Sequence, residues 1–327
     1  MPTFGYFLSC EEFGPTELVR QAKLAEQAGF RKLWISDHFH PWNDQQGQSP
    51  FVWSVIGALS QATNLPITTA VTCPIVRVHP AVIAQAAATA AVQTGGGFTL
   101  GVGTGEALNE HIFGDAWPSA PTRRGMLEEA VELIRALHRG GQIDYDGEYY
   151  TVSNARIYTR PVDEQPVPIY VSGFGRRSAE LAGRIGDGFL SVGPQAELID
   201  IFRSSGGGDR PAQGGLKVCY GADEADAVAT AHRLWPNDHL PGELAQVLPT
   251  PRHFEQASTL VTRDQVAEAV PCGPDIGRYV DAITEYVAAG YDEIYIGQIG
   301  PNQDAFFEFW SDRLAGELDA ATKAAAR

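Results

Sequence analysis

Short apolar runs rich in β-forming residues alternate along the chain with stretches whose apolar residues recur every three or four positions. Residues 5–9, 32–36, 66–72 and 98–104 read as the first four strands. Helical spacing follows each of them, over 16–28, 51–62, 80–92 and about 122–138, and Gly29 stands as the C-cap of the first helix. Asp146-Gly147, within 142–150, is a hairpin signal. The alternation resumes with a strand at 167–172, a helix at 176–185, a strand at 188–192 and a helix at 196–203. Residues 204–208 read as a short flexible loop, 216–220 as the seventh strand with a helix after it, and 293–297 as the eighth. A helix over 302–314 closes the pattern.

Eight strands with apolar centres, separated by helices, favour an α/β fold of the TIM (β/α)8 barrel type over an open doubly wound sheet. One barrel domain over 1–327 is expected, with insertions near 140–167 and 232–273. The second insertion, rich in proline and polar residues, reads as a lid or interface segment. No repeat beyond the βα unit is visible.

Composition narrows the partners. Twenty-four lysines and arginines stand against 40 acids, a net charge of −16, which disfavours nucleic acid and anionic membranes but leaves room for one local basic pocket. Cys10, Cys73, Cys219 and Cys272 are scattered, so no metal site or disulfide framework is expected, and reduced thiols suit a cytoplasmic protein. No basic segment followed by an apolar run opens the chain, and no run approaches the roughly 18 apolar residues of a membrane span.

In a barrel, the C-terminal ends of the strands carry the chemistry. The second strand ends in Ser36-Asp37-His38-Phe39-His40-Pro41-Trp42. That set suits general acid/base work by His38, oriented by Asp37, with Trp42 walling an aromatic ligand. The plainer alternative is a surface loop with a satisfied histidine. The fourth strand ends in Gly101-Val102-Gly103-Thr104-Gly105-Glu106, where glycines let a ligand approach the backbone and Glu106 adds a carboxylate. This run lacks the dinucleotide spacing and any P-loop lysine. The fifth ends in Ser172-Gly173-Phe174-Gly175-Arg176-Arg177-Ser178, a helix start with two arginines that reads as an anion cradle. His79, His111, Cys73 and Trp117 are weaker candidates. Neither a GxSxG elbow nor an HExxH motif is present.

The strings at 36–42, Pro80-Ala81-Val82-Ile83-Ala84-Gln85, and 101–110 ending in Ala107-Leu108-Asn109-Glu110 together resemble one group. They are similar to the coenzyme F420-dependent glucose-6-phosphate dehydrogenases of the bacterial luciferase-like superfamily. Residues 144–150 and 182–189 extend the likeness, which is close over roughly 4–192 and thin beyond. The resemblance implies a TIM barrel, homodimeric as is usual in the group, holding the deazaflavin F420 at the strand C-termini. It implies cofactor contacts from Asp37, Thr104, Gly105 and Asn109, and a phosphate site around Gly173, Phe174, Gly175, Arg177 and Ser178. Ala70-Val71 matches a strand bulge where the group has a non-proline cis peptide behind the deazaflavin, and Cys73 stands in place of a threonine. His38, Glu106 and Trp42 match the catalytic trio: the first two exchange protons and Trp42 positions the reacting groups.

The sugar-phosphate enzymes hold their substrate phosphate with two lysines and an arginine. The matching places here fall near Pro194-Gln195, Gln256 and Ala269, without a cation. Three missing charge-assisted contacts of roughly 1.5–3 kcal/mol each would remove useful phosphate recognition. The lid offers Leu234, Trp235, Leu240, Val247, Leu248 and Phe254 instead. The expected substrate is therefore a small, non-phosphorylated alcohol, carbonyl or activated double bond. Three alternatives stay open: an FMN-dependent luciferase-like monooxygenase, a sugar-phosphate dehydrogenase in which Arg252 or Arg263 supplies the cation, and a cofactor carrier without catalysis.

Overall fold

The computed structural model describes residues 2–161 and 165–325. Strands β1 (Thr3–Leu8), β2 (Leu33–Ile35), β3 (Ile67–Thr69) and β4 (Phe98–Val102) come first. A hairpin of β5 (Ile143–Asp146) and β6 (Thr151–Ala155) interrupts them. Then follow β7 (Ile169–Ser172), β8 (Gly188–Val192), β9 (Ala212–Val218) and β10 (Glu293–Gln298). The eight strands outside the hairpin pair in parallel and close on themselves in the order β1-β10-β9-β8-β7-β4-β3-β2. This is the expected (β/α)8 barrel. Its strands face side chains inside and helices outside, so they read as apolar runs rather than alternating ones.

Inside the barrel, Trp34 stacks on Tyr295 with ring centroids 4.5 Å apart, and Leu190 packs with them. Neighbouring strands make room by lacking a side chain. A Cβ at Gly5 would sit 2.4 Å from the Tyr295 ring, and one at Gly215 would sit 2.3 Å from Trp34. At the N-terminal end of the strands, Trp34 donates to Gln213 (2.8 Å), while Gln213 and Tyr295 both donate to Glu293 (2.8 and 2.7 Å). Lys32 pairs with the other Glu293 oxygen at 2.6 Å. The floor is thus a fully engaged polar network, and the opposite end is left for chemistry.

Several helices start where their caps demand. His79 accepts from the Ala81 N–H at 3.1 Å to begin the helix Pro80–Gln93, which makes this histidine a cap. Ser119 does the same for Ala120–His138. Four local expectations change. Strand β9 begins at Ala212 rather than 216, because Gly214 and Gly215 break the apolar pattern while clearing space for tyrosine and tryptophan rings. The second hairpin strand lies beyond Tyr150, with 147–150 forming the turn. Residues 203–205 wind on from the preceding helix, and the chain leaves it at Gly206, whose φ is 113°, so the expected loop is shorter. Helices Ile276–Ala289 and Ala315–Ala325 extend the pattern beyond what periodicity indicated.

Between β9 and β10 the chain builds a cap over one side of the mouth. It runs through the helix Glu224–Leu234 and the short helices Pro236–His239, Leu244–Val247, Pro251–Ser258 and Arg263–Ala269. A second apolar cluster, including Leu234, Trp235, Val266 and Ile299, holds it, and Trp42 packs against that cluster from the barrel side. No helix among the described residues is long and apolar enough to cross a membrane.

Candidate active site

The C-terminal ends of the strands surround a cavity of about 910 Å³, walled by 103–106, 172–178, Lys217 and residues of the cap. Glu106 stands on this wall. His38 lies directly behind it, with Nε2 at 4.0 Å from Glu106 Oε1 and 3.3 Å from Glu11 Oε1. Trp42 completes the group, its ring centroid 5.0 Å from that of His38 and its far edge against Phe254. The three residues expected to act together are therefore brought together.

Asn109 is the hub that orients them. Its Oδ1 accepts the N–H groups of Phe39 (2.7 Å) and His40 (2.9 Å), which turns its amide nitrogen toward Glu106 and toward His38 Nδ1, 2.9 Å away. His38 Nδ1 also has the His40 carbonyl at 3.2 Å. One neighbour of Nδ1 donates and the other accepts, so the ring has a partner with Nδ1 bare or protonated. Nε2 is then free to give a proton or to take one.

Glu11 was not singled out from the sequence. It follows β1 directly, which in a barrel is itself a strand-end signal. Ser9 and Ser36 donate to its Oε2 at 2.8 and 2.7 Å. Burial works to raise this carboxyl, but the His38 charge and the two hydroxyls outweigh it and hold it below the ordinary value. This carboxylate stands 3.3 Å from Nε2 of His38, within reach of a proton on that nitrogen.

Asp37 points away from this group. Thr72 donates to its Oδ2 at 2.8 Å, and Arg77 Nη2 reaches Oδ1 at 2.9 Å. Arg77 also approaches Glu110, its Nε lying 3.5 Å from Oε1 and its backbone N–H 2.7 Å from Oε2. Sequence reasoning missed Arg77, which has no local signature. The Asp37–Arg77–Glu110 triad braces the loops after β2, β3 and β4. Cys73 is buried under Gly105, and its thiol is pushed up by burial.

Burial also pushes Glu110 up to about 7, against Arg77. It does the same to Glu12, also to about 7, against hydrogen bonds from Trp235 and the Gly300 N–H. A raised carboxyl binds its proton more tightly in the folded chain than in the unfolded one. Its stabilising contribution is present at low pH and is lost as pH rises through the folded value. The thermal midpoint of the wild type is therefore expected to fall relative to Glu12→Gln between about pH 5 and about pH 8. A constant gap in scanning calorimetry would show that Glu12 does not titrate there.

The peptide between Ala70 and Val71 is cis; Val71 is on the cavity wall and Ala70 packs behind it. Thr104 and Gly105 line the same wall. A Cβ at Gly103 would collide with Val71 and Ser172, so this stretch presents bare backbone. Gly173, Phe174, Gly175, Arg177 and Ser178 line the cavity at the start of the helix Arg176–Ile185. Arg176 is drawn off to Glu197 (3.1 Å) and Glu180 (3.9 Å). Among the described residues Arg177 has no acid partner, and nor has Arg124, a cation on the same wall that the sequence reading passed over. Two unpaired guanidiniums beside a helix start suit an anionic group.

The substrate side departs from expectation. Pro194 and Ala269 do line the cavity and Gln256 does not, and neither Arg252 nor Arg263 reaches the wall. Of the six apolar cap residues offered by the sequence only Leu240 is on it: Leu234, Trp235 and Phe254 form the inside of the cap. A lysine is present after all. Lys217, near the end of β9, lines the cavity with its Nζ 2.8 Å from Asp238. His111 bonds back to the Ala107 carbonyl, and Trp117 carries the Arg123 guanidinium at 4.4 Å, so both are structural.

The family model for luciferase-like monooxygenases matches residues 3–293. An F420-dependent glucose-6-phosphate dehydrogenase of Microbacterium testaceum is 35% identical, over 96% of this chain and 97% of the relative. The enzyme of that name in Mycolicibacterium smegmatis is equally similar, at 35% over the same shares. Among solved structures, an F420-dependent secondary alcohol dehydrogenase in complex with an F420-acetone adduct superposes with a TM-score of 0.88 at 32% identity, covering 95% of this chain and 97% of the other. The chain belongs to the luciferase-like family, in the group that contains the F420-dependent dehydrogenases.

Proposed function

We propose that the chain is a coenzyme F420-dependent oxidoreductase that acts on small, non-phosphorylated alcohols or carbonyl compounds. The observation that carries this reading is the His38–Glu106–Glu11 group, a histidine between two carboxylates, one of which, Glu106, stands on the wall of a large cavity. The residues present fit the cofactor: bare backbone at 103–105 for a flat ring system, and the unpaired Arg124 and Arg177 for its phosphate and acidic tail. When bound, F420 supplies a hydride acceptor or donor on its deazaflavin ring.

The protein's own part is proton management and orientation. For alcohol oxidation, His38 Nε2 takes the hydroxyl proton and Glu11 stabilises the resulting imidazolium. In the reverse direction the same nitrogen gives that proton to the carbonyl oxygen. Asn109 keeps the His38 ring and the Glu106 carboxyl in register, and Trp42 fixes the ring from its other side. The cap covers one side of the site. The reading includes a homodimer, supported by two apolar residues left in solvent, Phe51 before the helix Val52–Leu59 and Val82 on the helix Pro80–Gln93.

The test is a fluorescence titration of the purified protein with F420 and with FMN, followed by turnover assays with 2-propanol, acetone and glucose 6-phosphate. Tight F420 binding and reversible reaction with the neutral pair is the expected result. Binding of FMN alone would favour the monooxygenase alternative, and robust turnover of glucose 6-phosphate would overturn the substrate class.

A further inference from the structure

The cavity has two kinds of cation, and they are handled differently. Arg124 and Arg177 carry no acid partner among the described residues. Lys217 is held at both sides. Asp238, on the short helix Pro236–His239 of the cap, takes its Nζ at 2.8 Å, and the Trp235 ring lies under it at 3.8 Å from the centroid. The indole N–H of Trp235 in turn donates to Glu12, whose second oxygen accepts the Gly300 N–H at 2.8 Å. The lysine is thus the centre of a pinned array of one ammonium, two carboxyls and an indole. Glu106, Glu243 and Glu285 are further acids on the cavity wall.

We propose that Asp238 is a specificity-determining residue: by neutralising Lys217 it closes the substrate chamber to anionic substrates and leaves it open to uncharged ones. The proposal rests on reading the cavity as the substrate chamber. An incoming phosphate or carboxylate meets the Asp238 carboxylate beside the lysine it would need, and like charges in close proximity repel. An uncharged hydroxyl or carbonyl oxygen meets no such repulsion. An ammonium has three donors; Asp238 takes one and the indole face another, and the third is available to a neutral oxygen. The pair also ties the turn Pro236–His239 to β9. The arginines without an acid partner among the described residues, Arg124 and Arg177, are the cations left on the wall for a charged group.

The experiment is calorimetric titration of the wild type, Asp238→Asn, and Asp238→Asn/Lys217→Met with glucose 6-phosphate, with glucose as the uncharged control. Any phosphate binding at Arg124 and Arg177 is common to all three proteins and appears as the wild-type background. The single variant is expected to bind glucose 6-phosphate at least about tenfold more tightly than the wild type, with glucose unchanged. The double variant is expected to return to the wild-type level, which locates the gain at Lys217. No gain in Asp238→Asn, or a gain that survives loss of Lys217, overturns the proposal. Since no turnover is needed, this result is independent of the F420 assay: failure of the wild type with neutral alcohols would remove the functional reading alone.

Discussion

Replacing His38 with alanine is expected to lower kcat by about 10²–10⁴-fold, the range lost when a positioned general acid or base is removed. Its Nε2 lies 3.3 Å from a carboxylate that is held ionised and 4.0 Å from a second one on the cavity wall. The ring touches neither the cradle at 173–178 nor the bare backbone at 103–105, so F420 affinity is expected to change little. Steady-state reduction of F420 by a neutral alcohol, beside a binding titration, separates the two effects. A variant that turns over within a few-fold of the wild type would show that His38 does not exchange the proton, and would favour a carrier. Glu106→Gln serves as the comparison: it keeps the shape and the Asn109 contact while removing the charge, so a drop confined to kcat assigns a role to the carboxylate itself.

The second large effect is on stability. Arg77→Ala is expected to cost about 3–5 kcal/mol, the usual consequence of deleting one partner from a buried ionic cluster. The arginine side chain is 7% exposed and its two acids 2% and 1%, so solvent cannot replace it. Its loss strands the Asp37 and Glu110 carboxyls together in the buried loops after β2 and β4. The deficit is expected to be largest above about pH 7 and to shrink as pH falls through that value, where Glu110, raised by burial to about 7, takes up its proton. Lysine at this position is expected to rescue little, because one ammonium cannot reach both acids as the guanidinium fork does. Denaturant midpoints of the wild type and the two variants at both pH values decide it; a loss below 1 kcal/mol would mean that the loops after β2, β3 and β4 are braced by packing alone.

The barrel itself was legible because its strands are buried on both faces. Burial of that kind writes a continuous apolar run into the sequence, and strand ends then point to the mouth by topology alone. That logic led to His38, Glu106 and the glycine-rich cradle before any geometry was known. It failed where a strand yields its side chains to a neighbour: Gly214 and Gly215 look like a loop, yet they are strand residues facing tyrosine and tryptophan rings. It also over-read Arg176, which belongs to Glu180 and Glu197, and the cap's apolar residues, most of which hold the cap together and do not face the cavity.

The local pattern of this chain determined a (β/α)8 barrel and a mouth carrying histidine, carboxylate and an anion cradle, since these follow from periodicity and from residues adjacent in the chain. Pairing of charges was decided only by the tertiary structure. Arg77 finds Asp37 across 40 positions, and Lys217 meets Asp238 across 21 and approaches Trp235 over the same bend. A count of cations cannot say which of them are neutralised, because electrostatic energy depends on distance in space and on exposure to water. The same lysine that composition would offer to a phosphate is, in the folded chain, already occupied.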